Sequence, residues 1–531
     1  MKQPRLSRCA RMRWGGVWMF KKILIANRGE IAIRVLRACR EMGLAAAAVY
    51  SDVDRKSLHV RIADEAYPIG PAPATESYLR IDKLLEVAGK AGCDALHPGY
   101  GFLAENPALA RACRENGIVF IGPSAEAMQR MGSKTAARKI AVSAGVPVVP
   151  GMTTHLASVE QARQLAREFG YPLMLKAAGG GGGKGLRLVR TPEELPAAFR
   201  DAQSEAENAF NDPALYIEKY LERPRHVEMQ ILGDEHGNVA YLGERECSIQ
   251  RRHQKVIEES PSPIVTPELR AQMGEAAVRL AKAAGYTNAG TAEFLVAERS
   301  ADSESGLKFY FLEMNARLQV EHPVTELVTG LDLVKLQIAV AAGEKLPFAQ
   351  SDVKLRGAAM ELRVYAEDPD NNFFPSPGTV THLRRPLGPG IRLDECVFEG
   401  WTVPLEYDPL LGKMIAWGND RQEVILRLKR GLAEYAIGGI KTNLSFFRQI
   451  LDHPDFLAGR LDTGLVDRML AERRHIGEDQ RERVERLAAL AAVVFACSTP
   501  GRDGASRVAG RSESRWKIAG RQALLDRKPR P

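Results

Sequence analysis

The chain has 531 residues, 45% of them hydrophobic and 26% charged. At about 150 residues per domain this means three to four globular domains, which excludes a wholly disordered chain, a collagen and a coiled-coil rod. No stretch approaches the roughly 20 uncharged apolar residues that span a bilayer, and the net charge of +8 is confined to the ends: residues 1–19 carry +5 and residues 497–531 carry +6, so residues 20–496 carry −3. A basic body built for nucleic acid is therefore not indicated. Seven scattered cysteines without CxxC spacing argue against a disulfide framework or structural zinc and point to a reducing, cytoplasmic setting.

Residues 1–19 read as a basic extension, either disordered or preceding a true start at Met19. From Ile23 the order is a short buried strand (ILIA) and a helix with Ile31, Val35, Ala38 and Met42 on one face. A Gly43 stop and the strand AAAAVYSD follow. A helix over Tyr78–Ala91, the strand ALHP, a helix over Leu109–Glu115 and the strand IVFIGP complete a parallel α/β domain over 20–122. One helical stretch, Ala125–Ala144, and the joint VPVVPG make a linker over 123–150. Residues 151–222 form a compact unit with the strands YPLMLKAA and LRLVR on either side of a glycine run. Strands HVEMQIL, VAYLGE, TAEFLVAE and KFYFLEMN, helices Pro267–Ala284 and Leu331–Ala342, further strands over 360–420 and a last helical region fill 223–466. Residues 467–531 are helical and then a basic, Ser/Gly-rich tail.

The glycine run Gly179–Gly183, followed by Lys184 and Gly185, is not a P-loop, because Ala178 and Gly185 stand where Gly and Ser/Thr are required. Nor does it open a helix, as a dinucleotide fingerprint must, because LRLVR reads as a strand. It is either a flexible linker or a flap whose bare N–H groups close over phosphates, and Lys176 on the preceding strand favours the flap. Glu313 and Asn315 share a face of one strand, and Glu293 on its neighbour can join them. Hard oxygen donors of this kind suit Mg²⁺ or Mn²⁺ on phosphates. Just beyond, Arg317, Gln319 and Glu321 supply an anion fork, an orienting amide and a base. QRRHQK adds Arg251, Arg252, His253 and Lys255, as catalytic groups or as a solvated basic loop, and His226 fits either a ligand or a structural strand histidine.

The strings IANRGEIA (25–32), HPGYGFLAEN (97–106), MGSK (131–134), EKYLERPRHVE (218–228), ERECSIQRRHQK (244–255), EMNARLQVEHPVTE (313–326) and AEDPDNNFFPSPG (366–378), in this order and with the glycine run, resemble biotin carboxylase of the ATP-grasp superfamily over about residues 20–466. The resemblance implies an α/β and α+β multidomain fold: a Rossmann-like N-terminal domain, then an ATP-grasp fold with a mobile glycine-rich lid and a C-terminal biotin carboxylase domain. It implies ATP contacts at Lys134, Lys176, Gly182, Gly183, Glu218, Lys219, Tyr220, Leu221, His226 and His253. Metals would lie at Glu293, Glu313 and Asn315, and bicarbonate at Lys255, Arg317, Gln319 and Val320. Glu321 would be the base, Arg363 would face the biotin ureido oxygen, and Tyr100 would lie beside it.

The implied reaction is attack of bicarbonate on the γ-phosphate of ATP to give carboxyphosphate, which delivers CO₂ to biotin N1′, with released phosphate as the base for biotin. This is the first half-reaction of an acetyl-CoA or other acyl-CoA carboxylase, and hence of fatty acid biosynthesis. Ala316, Lys184 and VYAED at 364–368 depart from the common pattern without touching a charged catalytic role, and 297–307 reads as a polar hairpin. No Met-Lys-Met biotin-acceptor motif occurs, GKMIA at 412–416 being the nearest string. Biotin is therefore expected on a separate biotin carboxyl carrier protein. Carboxyltransferase subunits and a second copy of the chain complete the implied partners, with neither nucleic acid nor membrane among them. Another ATP-grasp ligase or a catalytically silent scaffold are the competing readings.

Overall fold

The computed structural model describes residues 20–151, 155–177, 186–210, 212–298 and 306–472. The extension 1–19, the glycine run with Gly182 and Gly183, most of the hairpin turn at 297–307 and the basic tail lie outside the described residues, as does the side chain of Lys134. The chain divides into two units after Asp467, and of the second only residues 468–472 are described. Among the described residues no helix is long and apolar enough to cross a membrane.

The first sheet comprises β1 (Lys22–Ile25), β2 (Ala45–Ser51), β3 (Glu65–Gly70), β4 (Ala95–His97) and β5 (Val119–Phe120) in the order β3-β2-β1-β4-β5. All pairs are parallel. Helix Gly29–Glu41 covers it with Ile31, Val35 and Ala38, as the spacing predicts. Strand β3 is absent from the sequence reading because Pro68 interrupts its pattern; as an edge strand it tolerates the missing N–H. Since β2 and β4 lie on opposite sides of β1, the carboxyl ends of β1 and β4 open a crevice, the usual ligand position in such a sheet. There Asn27 Nδ2 donates to the carbonyls of Pro98 (2.7 Å) and Tyr100 (2.8 Å), fixing the two loops together.

The stretch read as one linker helix is two helices, Ala125–Gly132 and Lys134–Ser143, divided at Ser133, whose side chain caps the second. Neither is a free linker: Met128, Met131, Ala137 and Ala141 share a core with Val227, Ile231 and Phe294. Beyond them β6 (Leu173–Ala177), β7 (Leu186–Val189) and β8 (Leu215–Lys219) form an antiparallel sheet in the order β7-β6-β8. Leu173, Leu175 and Ala177 turn inward, leaving Met174 and Lys176 on the other face.

The largest sheet has eight antiparallel strands. β9 (Arg225–Gly233), β10 (Val239–Arg251), β11 (Gln254–Ser260), β12 (Asn288–Glu298), β13 (Leu307–Asn315) and β14 (Ala358–Tyr365) run in the order β13-β12-β9-β10-β11-β14, continued by Leu410–Gly418 and Ile391–Glu395. Helix Pro267–Ala284 packs on one face through Met273, Ala277 and Leu280. Thr266 caps its start, Pro267 occupies the first turn and Gly285 ends it with φ +62°, so its limits were readable from sequence. The opposite face carries the charged groups. Two bulges aim them, one on β13 between the pairs Glu293/Glu313 and Phe294/Phe311, the other on β11 between Lys255 and Ile257.

Candidate active site

Phe309 and Phe311 pack against Phe294 in the core. Strict alternation would carry Glu313 and Asn315 into that core with them. The extra residue, Leu312, reverses the strand's facing, so Glu313 pairs in register with Glu293, and Glu293 with Glu228 on β9. Three carboxylates thus lie side by side across three strands.

Lys255 reaches into this row from β11. Its Nζ lies 2.5 Å from Glu228, 2.9 Å from Glu293 and 2.7 Å from Glu321. The fully buried Arg245 donates from Nε to Glu228 (2.5 Å), and its other nitrogens engage Gln230, Thr325 and Thr291. Glu321 is 0% exposed and stands at the start of helix His322–Thr329, where the free N–H groups favour an anion. Burial opposes its ionisation, but Lys255, Arg363 and Arg245 outweigh that and hold the carboxyl well below its ordinary range. Glu293 behaves alike: burial is overcome by Lys255 and by His226, whose Nε2 is 3.1 Å away. His226 is in turn pushed up, burial being outweighed by Glu293.

Arg363 donates from Nη2 to Glu321 (2.8 Å) and from Nε to Glu258 (2.6 Å). Arg317 forks between Glu105 (2.9 Å), Gln319 (3.0 Å) and Asn315 (3.3 Å). Asn315 also donates to Glu293 at 2.8 Å.

Two cavities flank these groups. One of about 350 Å³ is lined by Lys176, Glu218, Tyr220, Leu221, His226 and His253, with Leu295 and Leu312 as apolar walls. In it Lys176 pairs with Glu218 at 2.5 Å, while the Lys219 ammonium turns away to the carbonyls of Gly170 and Tyr171. The other, about 450 Å³, is lined by Arg28, Tyr100, Arg317, Val320, Arg363 and Tyr365. Buried ion pairs connect them: His226 on the first cavity, then Glu293, Lys255, Glu321 and Arg363 on the second.

The structure therefore brings together Lys255, Glu293, Glu313, Asn315, Arg317, Gln319, Glu321 and Arg363 in one cluster. It gathers Lys176, Glu218, Tyr220, Leu221, His226 and His253 around the first cavity. QRRHQK is split: Arg251 is buried against Glu367 and over Phe373, Arg252 and His253 form an exposed left-handed turn, and Lys255 enters the cluster. Sequence reasoning missed Glu105, Glu228, Arg245, Glu258, Glu361 and Lys413. Of these Glu105, Glu228 and Arg245 lay within the strings that carry the resemblance, and Lys413 within GKMIA, whereas Glu258 and Glu361 lay in none of them.

Three family descriptions match in succession: "Biotin carboxylase, N-terminal domain" over residues 19–128, "Carbamoyl-phosphate synthase L chain, ATP binding domain" over 133–349, and "Biotin carboxylase C-terminal domain" over 361–468. The chain is 54% identical over 448 residues to the biotin carboxylase of Halalkalibacterium halodurans, covering 84% of this chain and 97% of that one. It is 53% identical over 473 residues to a pyruvate carboxylase subunit of Methanothermobacter thermautotrophicus, covering 88% and 95%. The biotin carboxylase domain dimer of Hydrogenobacter thermophilus 2-oxoglutarate carboxylase, solved with MgADP, ADP and bicarbonate, superposes with a TM-score of 0.78 at 45% identity, over 86% of this chain and 99% of that one. With the fold, the cluster and these relatives in agreement, the chain belongs to the biotin carboxylase family, ligases that use ATP and bicarbonate to carboxylate biotin.

Proposed function

We propose that ATP occupies the cavity of about 350 Å³ and biotin that of about 450 Å³, with bicarbonate activated at the buried ion pairs that connect them. The observation carrying this reading is the Glu321 carboxyl, held between Lys255 and Arg363 without exposure. Lys255, Arg317, Gln319 and the Val320 backbone bind the bicarbonate anion. Arg317 supplies a planar fork and Lys255 a point charge. As the anion draws Lys255 from Glu321, the carboxylate loses the cation that depresses its proton affinity and becomes a competent base. Deprotonated bicarbonate then attacks the γ-phosphate of ATP. Lys176, His226, His253 and the backbone of Glu218 to Leu221 hold the nucleotide, and Lys134, Gly182 and Gly183 are the further ATP contacts that the resemblance implies.

The donor set of Glu293, Glu313 and Asn315 fits a hard divalent cation, Mg²⁺ or Mn²⁺, which would offset charge on the transferring phosphoryl group. Glu293 and Glu313 are register partners. Asn315 donates its amide nitrogen to Glu293 and accepts from Arg317 at Oδ1, the oxygen it would offer a metal. Arg363, beside Tyr100, stabilises the enolate-like biotin that receives CO₂.

Biotin arrives on a separate carrier protein. The chain works as a cytoplasmic homodimer with carboxyltransferase subunits, and its product serves acetyl-CoA or another acyl-CoA. The test supplies labelled bicarbonate, ATP and Mg²⁺ to the purified chain with a separately purified biotinylated carrier, then adds carboxyltransferase with acetyl-CoA or pyruvate. Label on the carrier, passed on to acetyl-CoA, supports the reading. Label or biotin retained covalently by the chain itself would overturn the separate carrier, and transfer only to pyruvate would overturn the acyl-CoA assignment.

A further inference from the structure

Behind Arg363 lie two carboxylates that the mechanism above does not use. Glu258 on β11 and Glu361 on β14 are direct cross-strand partners, so their side chains leave the same face with Cβ atoms about 4.5–5.5 Å apart. Both are 0% exposed. Glu258 accepts from Arg363 Nε with one oxygen. Its other oxygen and both oxygens of Glu361 meet no donor among the described residues.

Two buried carboxylates in such a position cannot both stay ionised without a large penalty. A single proton resolves the arrangement, because a protonated carboxyl brings its own O–H donor to the neighbour's unpartnered oxygen. The groups facing the pair are Arg363 and Tyr365 on β14, Lys255 on β11, Cys247 on β10, Glu321, Tyr100, and Lys413 on the strand Leu410–Gly418. Lys413 is near but committed elsewhere, to Glu30 (3.0 Å) and the Val320 carbonyl (2.8 Å). Burial, with Glu321 adding to it against Arg363 and Lys255, pushes Glu258 up to about 7. Burial also drives Glu361 well above its ordinary range, Lys413 opposing and Glu258 adding.

We propose that Glu258 and Glu361 share one proton and act as a single positioning unit for Arg363 in the biotin step. This rests on the reading that Arg363 faces biotin. With one proton in place, the pair presents one negative charge and Arg363 is divided between Glu258, Glu321 and the cavity it lines. When that proton leaves to solvent, the doubly charged pair holds the guanidinium back and cancels the positive field at the ureido oxygen. Biotin carboxylation then declines on the alkaline side.

The experiment measures kcat/KM for free biotin against pH at saturating ATP, Mg²⁺ and bicarbonate, in the wild-type chain, Glu361→Gln and Arg363→Ser. In the wild type the alkaline limb falls about tenfold per pH unit. Glu361→Gln fixes the neutral partner, so its limb moves at least one pH unit higher or disappears, with kcat/KM near neutrality within about threefold of wild type. A second readout is independent of turnover: the infrared band of a buried protonated carboxyl, present in the wild type and absent from Glu361→Gln. A Glu361→Gln profile superimposable on the wild type, or an infrared spectrum without that band in the wild type, overturns the proposal. An Arg363→Ser variant with unchanged kcat/KM for biotin would instead remove the reading of Arg363 on which it rests.

Discussion

Replacing Lys255 by Met removes the ammonium from among Glu228, Glu293 and Glu321 while keeping a side chain of similar length. Deleting one partner of a buried ion pair generally destabilises by about 3–5 kcal/mol. Here each carboxylate retains another partner: Arg245 for Glu228, His226 and Asn315 for Glu293, Arg363 for Glu321. No group is left wholly uncompensated, so the loss falls at the lower end, about 3 kcal/mol. Its pH dependence follows from the signs. In the wild type the folded-state values of Glu293 and Glu321 are depressed. They therefore contribute stability above the unfolded carboxylate range, and that contribution is lost as pH falls through the folded values. Without Lys255 the burial that opposes ionisation has less to overcome it, so those values rise toward the unfolded range and the contribution shrinks. Urea unfolding followed by tryptophan fluorescence should show a deficit of about 3 kcal/mol from about pH 8 down to about pH 5, shrinking only as the pH falls below the unfolded carboxylate range toward the depressed folded values. A deficit below about 1 kcal/mol near pH 8, or one that grows as pH falls, would refute this account of the cluster.

Glu321→Gln should bind ATP as the wild type does in calorimetry, yet lose about 10²–10⁴-fold in bicarbonate-dependent ADP release; a loss under tenfold would remove Glu321 as the base. Arg317→Lys keeps the charge but not the fork that meets Glu105 and Gln319, so the KM for bicarbonate should rise about tenfold or more with the KM for ATP within about twofold. Equal changes in both constants would show that Arg317 serves the structure and not the anion. Glu293→Gln and Glu313→Gln should each raise the Mg²⁺ concentration for half-maximal turnover at least about tenfold, and an unchanged Mg²⁺ titration in both would move the metal elsewhere.

The parts of the site legible in sequence were those written in local patterns. Alternation placed Glu313 beside Asn315, and the apolar spacing of Gly29–Glu41 and the Thr-Pro start and Gly stop of Pro267–Ala284 gave their helices. Alternation also implied something false, that Phe311 and Glu313 share a face. Only the bulge at Leu312, a property of the pairing with β12, separates the core aromatic from the site carboxylate. Helix His322–Thr329 was missed although Pro323 marks its first turn. The supporting charges were illegible for a different reason. Arg363 and Glu258 are separated by 105 positions and Arg245 and Thr325 by 80, so no local window shows that the charge within GEREC or AAMELRVY has a partner. A single buried charge in a strand reads as an ordinary surface alternation until the topology supplies its neighbour. The family resemblance indicated which residues matter, whereas the geometry supplied how Lys255, Arg245 and Arg363 hold Glu321 ionised.

The most direct test of the central claim is ADP release by the purified chain with Mg²⁺ and bicarbonate, with and without free biotin, alongside Glu321→Gln and Arg363→Ser. Turnover that rises with biotin in the wild type and collapses in both variants is the predicted result. Turnover indifferent to biotin but responsive to an amine or amino acid, or no turnover at all, would contradict it.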